Sequence, residues 1–246
     1  MDYAKMGEEN KFSSSPLAIA RVIDQTFLKK EATDQELKEA AEEAKKYSFR
    51  GFCILSQHTK LAKELLKDTN VKVTTLIDAP TGASSHRERL EMVKKAKEAG
   101  SDEIELVMKI DDFKNKKYEE VLNDLKELCR ILPTKVIIGS GYLTDEEIKK
   151  ASEIVELSGA ICVKTATIDD PLDNLELKEK AKHIKIMRGA VKNILVKASG
   201  AIRSFNDAKI MLASGADIIG TSSGVEIVNE AKGEDIETNE EWRKIE

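Results

Sequence analysis

The sequence predicts a single (β/α)8 barrel, on three observations. Eight short apolar runs recur along its 246 residues. Each is followed by a longer charged stretch with apolar positions three or four apart. No linker or low-complexity segment interrupts the series. Continuous apolar strands alternating with helices point to a parallel sheet buried on both faces. Eight such units in a chain of this length fit a closed barrel. An open doubly wound sheet would show a glycine-rich fingerprint after an early strand, and none appears.

Residues 1–17 are polar and read as an N-terminal tail or capping segment, leaving 18–246 as the barrel domain. The strand runs are AIARVID (18–24), GFCIL (51–55), KVTTLID (72–78) and EIELVMKI (103–110), then KVIIGS (135–140), AICVKT (160–165), ILVKAS (194–199) and DIIGTS (217–222). Between them lie amphipathic stretches such as DQELKEAAEEAKKY, SHRERLEMVKKAKEAG and TDEEIKKASEIVELSG. Thr33, Ser85, Thr144 and Ser204 stand where helix N-caps are expected. Gly100, Gly159 and Gly215 stand where helices should end.

A net charge of −5 gives no electrostatic reason to expect nucleic acid or an anionic membrane as partner. No apolar stretch is long enough to span a bilayer, and residues 1–16 lack the apolar centre of a signal peptide. Cys53, Cys129 and Cys162 form no CxxC pair, and Cys53 and Cys162 lie in apolar runs, so buried thiols in a reducing cytoplasm are expected. His58, His86 and His183 fall in helical segments with no HxH or HxxxH pairing. Surface positions are expected for them, with no metal site and no cofactor.

In this fold the chemistry belongs at the C-terminal ends of the strands. The sixth run ends with Lys164 and the seventh with Lys197, each after several apolar residues. A buried ammonium needs a partner or a depressed pKa. Two of them on neighbouring strands repel, which favours a neutral, nucleophilic amine. A single such lysine would read more simply as half of a salt bridge; the pair favours chemistry. Glu105, which shares its parity with Glu103 and Val107, and Asp24, at the end of the first run, are the carboxylates within reach. Each suits a proton shuttle or a salt bridge that makes a lysine tolerable, and both readings predict contact with a lysine. The segments SGAIRS (199–204) and GTSSG (220–224) follow the last two strands. Their small residues and the helix start after them suit a phosphate, on the loops where barrels commonly bind one.

The motifs VKTAT (163–167), VKASGAIR (196–203), GTSSG (220–224), IDQT (23–26) and DEIELV (102–107) together resemble the deoxyribose-phosphate aldolases, which are metal-independent class I aldolases. The resemblance runs from about Val22 to Val228. It implies that Lys164 forms the Schiff base with the acetaldehyde-derived carbon and that Lys197 lowers its pKa. It also implies that Asp24 lines the cleft and that Gly200, Ser222 and Ser223, with Ala201 beside them, bind the phosphate. The implied reaction cleaves 2-deoxyribose 5-phosphate to glyceraldehyde 3-phosphate and acetaldehyde, in a homodimer.

Four departures stand out. Glu105 replaces the relay aspartate, and its extra methylene could shift the carboxylate by about an ångström. Gly139 stands where a glutamate is usual. Ile168, Asp169 and Asp170 stand where the family favours a glycine and often a lysine, which should weaken phosphate binding or admit another substrate. Ala201 replaces a glycine and narrows the approach to the phosphate. Two further readings therefore stay open: a Schiff-base aldolase for another sugar phosphate, and a phosphate-metabolite binder without catalysis.

Overall fold

A computed structural model describes residues 15–233. The strands are β1 (Ile23–Phe27), β2 (Gly51–Leu55), β3 (Lys72–Ile77), β4 (Glu103–Val107), β5 (Thr134–Ile137), β6 (Cys162–Lys164), β7 (Leu195–Ala198) and β8 (Ile218–Thr221). Each pairs in parallel with the next, and β8 closes on β1. The helices are α1 (Pro16–Ala20), α2 (Asp34–Tyr47), α3 (Thr59–Leu65), α4 (His86–Glu98), α5 (Ile110–Lys114), α6 (Tyr118–Cys129), α7 (Asp145–Leu157), α8 (Leu177–Ala190), α9 (Phe205–Ala213) and α10 (Gly224–Lys232). Of the expected tail, residues 1–14 lie outside the described residues, as do 234–246 at the other end.

Two boundaries differ from expectation. Ala18–Ala20 belong to α1 and not to the first strand, because Ser15 caps the helix by accepting from the Ala18 N–H and Pro16 presets its first turn. The strand therefore begins at Ile23 and continues to Phe27, which places Asp24 near its start instead of at its end. On the fourth run, β4 stops at Val107 and Ile110 already opens α5.

The four expected caps all form. Thr33, Ser85, Thr144 and Ser204 each accept from the backbone of the third helical residue, whose carboxylate reaches back to the cap. Gly100, Gly159 and Gly215 follow α4, α7 and α9 with left-handed φ.

Strand alternation then sorts the side chains. Outward residues such as Ile23, Phe52, Val73, Ile104, Val136, Val163, Val196 and Ile219 pack with Leu37, Val93, Leu125, Ile148, Ile184, Met211 and Ile227 of the helices in one continuous core. The inward parity is unusual for a barrel, whose interior is commonly filled with branched apolar residues. Here two small apolar clusters, Cys162, Leu195 and Ile218 on one side and Cys53, Leu76, Val107 and Ile137 on the other, flank a set of buried ions. Glycines give those ions room: a Cβ at Gly51 would stand 2.7 Å from Asp24 Oδ1, and one at Gly220 would stand 2.6 Å from Lys197 Cε.

The histidines depart from the surface positions expected of them. His86 is partly exposed, but His58 packs edge-on against the Phe27 ring and His183 lies under the 3-10 turn Ser140–Tyr142, its Nδ1 3.2 Å from Ser140 Oγ. Both are buried because their helices turn them toward the barrel top.

Replacing Ser85 or Thr144 by alanine removes one cap each. Urea unfolding should show each variant about 1 kcal/mol less stable, and the double variant should lose about the sum.

Candidate active site

Lys164 is the last residue of β6 and pairs in register with Lys197 of β7. Equal parity on adjacent strands turns both side chains inward, and both are buried. Glu105, in the middle of β4, reaches across the barrel to meet them. Its Oε2 accepts from Lys164 Nζ at 2.6 Å and its Oε1 from Lys197 Nζ at 2.5 Å. One carboxylate thus bridges both amines. The extra methylene of Glu105 does not cost these contacts.

The bridge is the upper end of a longer column. Lys197 also donates to Asp24 Oδ2 at 2.6 Å. Asp24 Oδ2 accepts in turn from Lys135 Nζ at 2.7 Å, and its Oδ1 accepts from Arg50 at 2.8 Å. Lys135 lies 3.0 Å from Glu103 and 3.4 Å from Glu105. Arg50 holds Glu103 through two N–H groups, and Lys72 reaches the same carboxylate from the rim. Charges alternate from the N-terminal end of the barrel to its mouth, so that each buried ion meets an opposite one.

Asp24 therefore does not touch Lys164; it lies below Lys197 and fixes that amine from underneath. Lys135, Arg50 and Glu103 complete the column, and sequence reading did not single out Lys135 or Arg50. Lys135 shares the inward parity of Ile137, a usable signal, whereas nothing in the pattern marks Arg50 just ahead of its strand. Cys53 is buried as expected, and its thiol also donates to Glu105 at 3.3 Å. Burial pushes that thiol up to about 12, with Glu105 adding to the effect, so it stays a neutral donor.

Electrostatics revises one expectation. Burial works to lower the pKa of Lys164, but the Glu105 carboxylate outweighs it and holds the amine above the ordinary lysine value. The expected depression by a neighbouring ammonium is overridden because Glu105 stands between the two. Burial likewise works to raise Glu105, yet Lys164, Lys197 and Lys135 keep it well below the usual carboxylate range. Asp24 is held down by Arg50, Lys135 and Lys197 against its burial. Glu103 falls to about 2 in the same way, through Lys135 and Arg50.

Above Lys164 a cavity of about 40 Å³ opens at the C-terminal ends of the strands, lined by residues that include Thr26, Thr167, Ser199, Gly200 and Ala201. Gly200 and Ala201 thus share the cleft with Lys164. Ser222 and Ser223 lie outside its lining. The N–H of Ser223 is spent on Thr221 Oγ1 and that of Gly224 on Gln25 Oε1, so Gln25 of β1 fixes the start of α10. A groove of about 840 Å³ between α3 and α4 is larger, but it sits at the opposite end of the barrel beside Lys72 and Asp102, away from both lysines. Among the described residues, no group of three or more His, Cys, Asp or Glu side chains is arranged to hold a metal ion.

Two outcomes follow from the column. Lys135→Met leaves Asp24, Glu103 and Glu105 short of a buried partner and should cost about 3–5 kcal/mol in urea unfolding. The three carboxylates have folded pKa values below their unfolded values of about 4, so their stabilisation is complete above that pH and is lost as pH falls through the folded values. The urea midpoint should hold steady down to about pH 5 and fall between about pH 4 and 2; a midpoint unchanged over that interval would contradict the charge pairing.

Comparison with known proteins agrees with this architecture. Residues 18–230 match the model of the DeoC/LacD family aldolase. A deoxyribose-phosphate aldolase of Caldanaerobacter subterraneus subsp. tengcongensis is 40% identical over 229 residues, covering 90% of this chain and 97% of the relative. Among solved structures, "QR15, an Aldolase" superposes with a TM-score of 0.81 at 33% identity, covering 87% of this chain and 96% of that one. A deoxyribose phosphate aldolase from Aeropyrum pernix, described as a tetramer, also gives 0.81, at 26% identity over 94% of this chain and 97% of its own. Matched over nearly all of its barrel, the chain belongs to the DeoC/LacD family of aldolases.

Proposed function

We propose that this protein cleaves 2-deoxy-D-ribose 5-phosphate to D-glyceraldehyde 3-phosphate and acetaldehyde through a Schiff base on Lys164. The observation that carries the reading is the single carboxylate, Glu105, hydrogen-bonded to both Lys164 and Lys197. A nucleophilic amine must first lose a proton; Glu105 orients Lys164 while staying ionised, and Lys164 lines the cavity at the barrel mouth, through which its proton leaves. The free amine adds to the C1 aldehyde of the open-chain sugar, and loss of water from the carbinolamine gives the iminium ion. Removal of the C3 hydroxyl proton lets the C2–C3 bond break, its electrons passing into an enamine on Lys164. Glyceraldehyde 3-phosphate departs, C2 of the enamine is protonated, and water releases acetaldehyde.

Within this scheme Lys197 keeps Glu105 ionised and oriented between the amines, and Asp24 holds Lys197 in place. The glycerol-phosphate end of the sugar lies toward Gly200 and Ala201, with Ser222 and Ser223 acting through the shape of the loop after β8. Three free thiols, at Cys53, Cys129 and Cys162, support a cytoplasmic setting. A homodimer is the accompanying assembly. The intact contacts of Glu105 with both lysines argue against a barrel that only binds metabolites.

Borohydride reduction in the presence of acetaldehyde tests the imine. An ethyl adduct on Lys164, together with turnover of 2-deoxyribose 5-phosphate, is the expected result, and Lys164→Leu should give neither. An adduct without that turnover would move the enzyme to another sugar phosphate; no adduct with any small aldehyde would end the aldolase reading. Glu105→Gln should lower kcat by about a hundredfold or more.

A further inference from the structure

The loop after β6 carries a carboxylate that the reaction does not use. This loop leads into the 3-10 turn Pro171–Asn174, which Asp170 caps by accepting from the Leu172 N–H at 2.9 Å. Asp170 also accepts from the Gly141 N–H at 3.1 Å, which ties the turn to the loop after β5. Leu172 is fully buried beneath the turn. From α8, Lys180 donates to the carbonyls of Asp173 and Gly200, at 3.2 and 2.9 Å, and so clamps the loops after β6 and β7 together. These contacts fix the backbone at Asp173.

The Asp173 side chain is aimed at Gly200. A Cβ on Gly200 would stand 2.9 Å from Asp173 Oδ1, so the oxygen occupies the space that the missing side chain leaves. That oxygen is buried and has no hydrogen-bond partner. Two further buried oxygens around the same cavity are also unpartnered, Thr167 Oγ1 and Ser199 Oγ. Lys164 lines this cavity too, so the three oxygens belong to residues at the mouth through which a sugar joined to Lys164 extends.

Taking the imine-aldolase reading as its basis, we infer that Asp173 sets the discrimination between phosphorylated and unphosphorylated substrates, by placing a carboxylate where the distal end of the sugar meets Gly200. A terminal hydroxyl satisfies these oxygens. It donates to Asp173 and accepts from the Thr167 or Ser199 hydroxyl. A phosphate dianion offers Asp173 no proton and meets a like charge at close range. The cations nearby, Lys180 and Arg203, are balanced by two carboxylates, Asp173 and Asp207. Burial pushes the Asp173 carboxyl above its ordinary range, in keeping with an acidic oxygen that lacks a donor of its own. The result is an aldolase whose preference for the phosphorylated sugar is held down, and which admits sugars ending in a free hydroxyl.

The test compares kcat/KM for 2-deoxyribose 5-phosphate and for 2-deoxyribose in the wild type, Asp173→Asn, Asp173→Glu and Glu176→Gln. The ratio of phosphorylated to unphosphorylated should rise by at least about tenfold in Asp173→Asn, chiefly through a lower KM for the phosphate ester. Asp173→Glu, which keeps the charge, should leave the ratio near that of the wild type. Glu176→Gln, which removes an exposed carboxylate just past the same turn, should do the same. Turnover of both sugars with a ratio unmoved in Asp173→Asn overturns the inference and leaves the aldolase reading standing; so does an equal rise in Glu176→Gln. Absence of turnover and of a borohydride-trapped adduct in the wild type ends the aldolase reading and this inference with it.

Discussion

A carboxylate held between two buried amines is the constraint on which the rest of this structure depends. In a low-dielectric interior neither an isolated ammonium nor an isolated carboxylate is tolerable. Glu105 can lie inside the barrel only because Lys164 and Lys197 reach it, and Lys197 is further held by Asp24. Each ion imposes the next, from Glu105 down through Asp24 and Lys135 to Glu103 and Arg50. Among these residues the cations are Arg50, Lys135, Lys197 and Lys164, and the carboxylates are Asp24, Glu103 and Glu105. Lys72 adds a further cation at the rim, so cations outnumber carboxylates in the column, and Lys164, at its open end, is the member whose proton can leave with least disturbance to the others.

The same arrangement explains why the barrel interior departs from the branched apolar filling usual for this fold. Apolar layers stabilise a barrel without further demands, whereas a buried ion column contributes little net stability and fixes orientation instead. Stability comes from outside the barrel wall, where the outward faces of the strands pack against the helices. Function and stability are thus divided between the two parities of each strand. Gly51 and Gly220 serve the inner parity by leaving space for Asp24 and Lys197.

Much of this was legible in the sequence, and the failures have identifiable causes. The apolar runs and the capping residues located the strands and helices because alternation and capping are local. Lys164 and Lys197 stood out because each ends a run of buried residues. The first strand was misplaced because residues 18–20 are apolar and α-helical at once, and Ser15 with Pro16 decides for the helix. That error carried Asp24 to the wrong end of its strand. Lys135 was missed because a lysine opening a strand looks solvent-facing until the register sets it opposite Glu105. The expected depression of Lys164 failed for a related reason: sequence showed two amines on adjacent strands but not the carboxylate between them. His183 could have been read as buried, since it shares its helix face with Lys180, Ile184 and Met187. Asp173 gave no signal at all, because an acidic residue in a polar turn is ordinary until its oxygen is seen against Gly200.

Glu105 governs the protonation of Lys164. The most direct measurement follows the Lys164 side chain by nitrogen-15 NMR through a pH titration, in the wild type and in Glu105→Gln. With the carboxylate gone, burial and the remaining cations should carry the Lys164 pKa below the ordinary lysine value of about 10.4, whereas in the wild type it lies above. An amine that titrates at the same pH in both proteins would contradict the account.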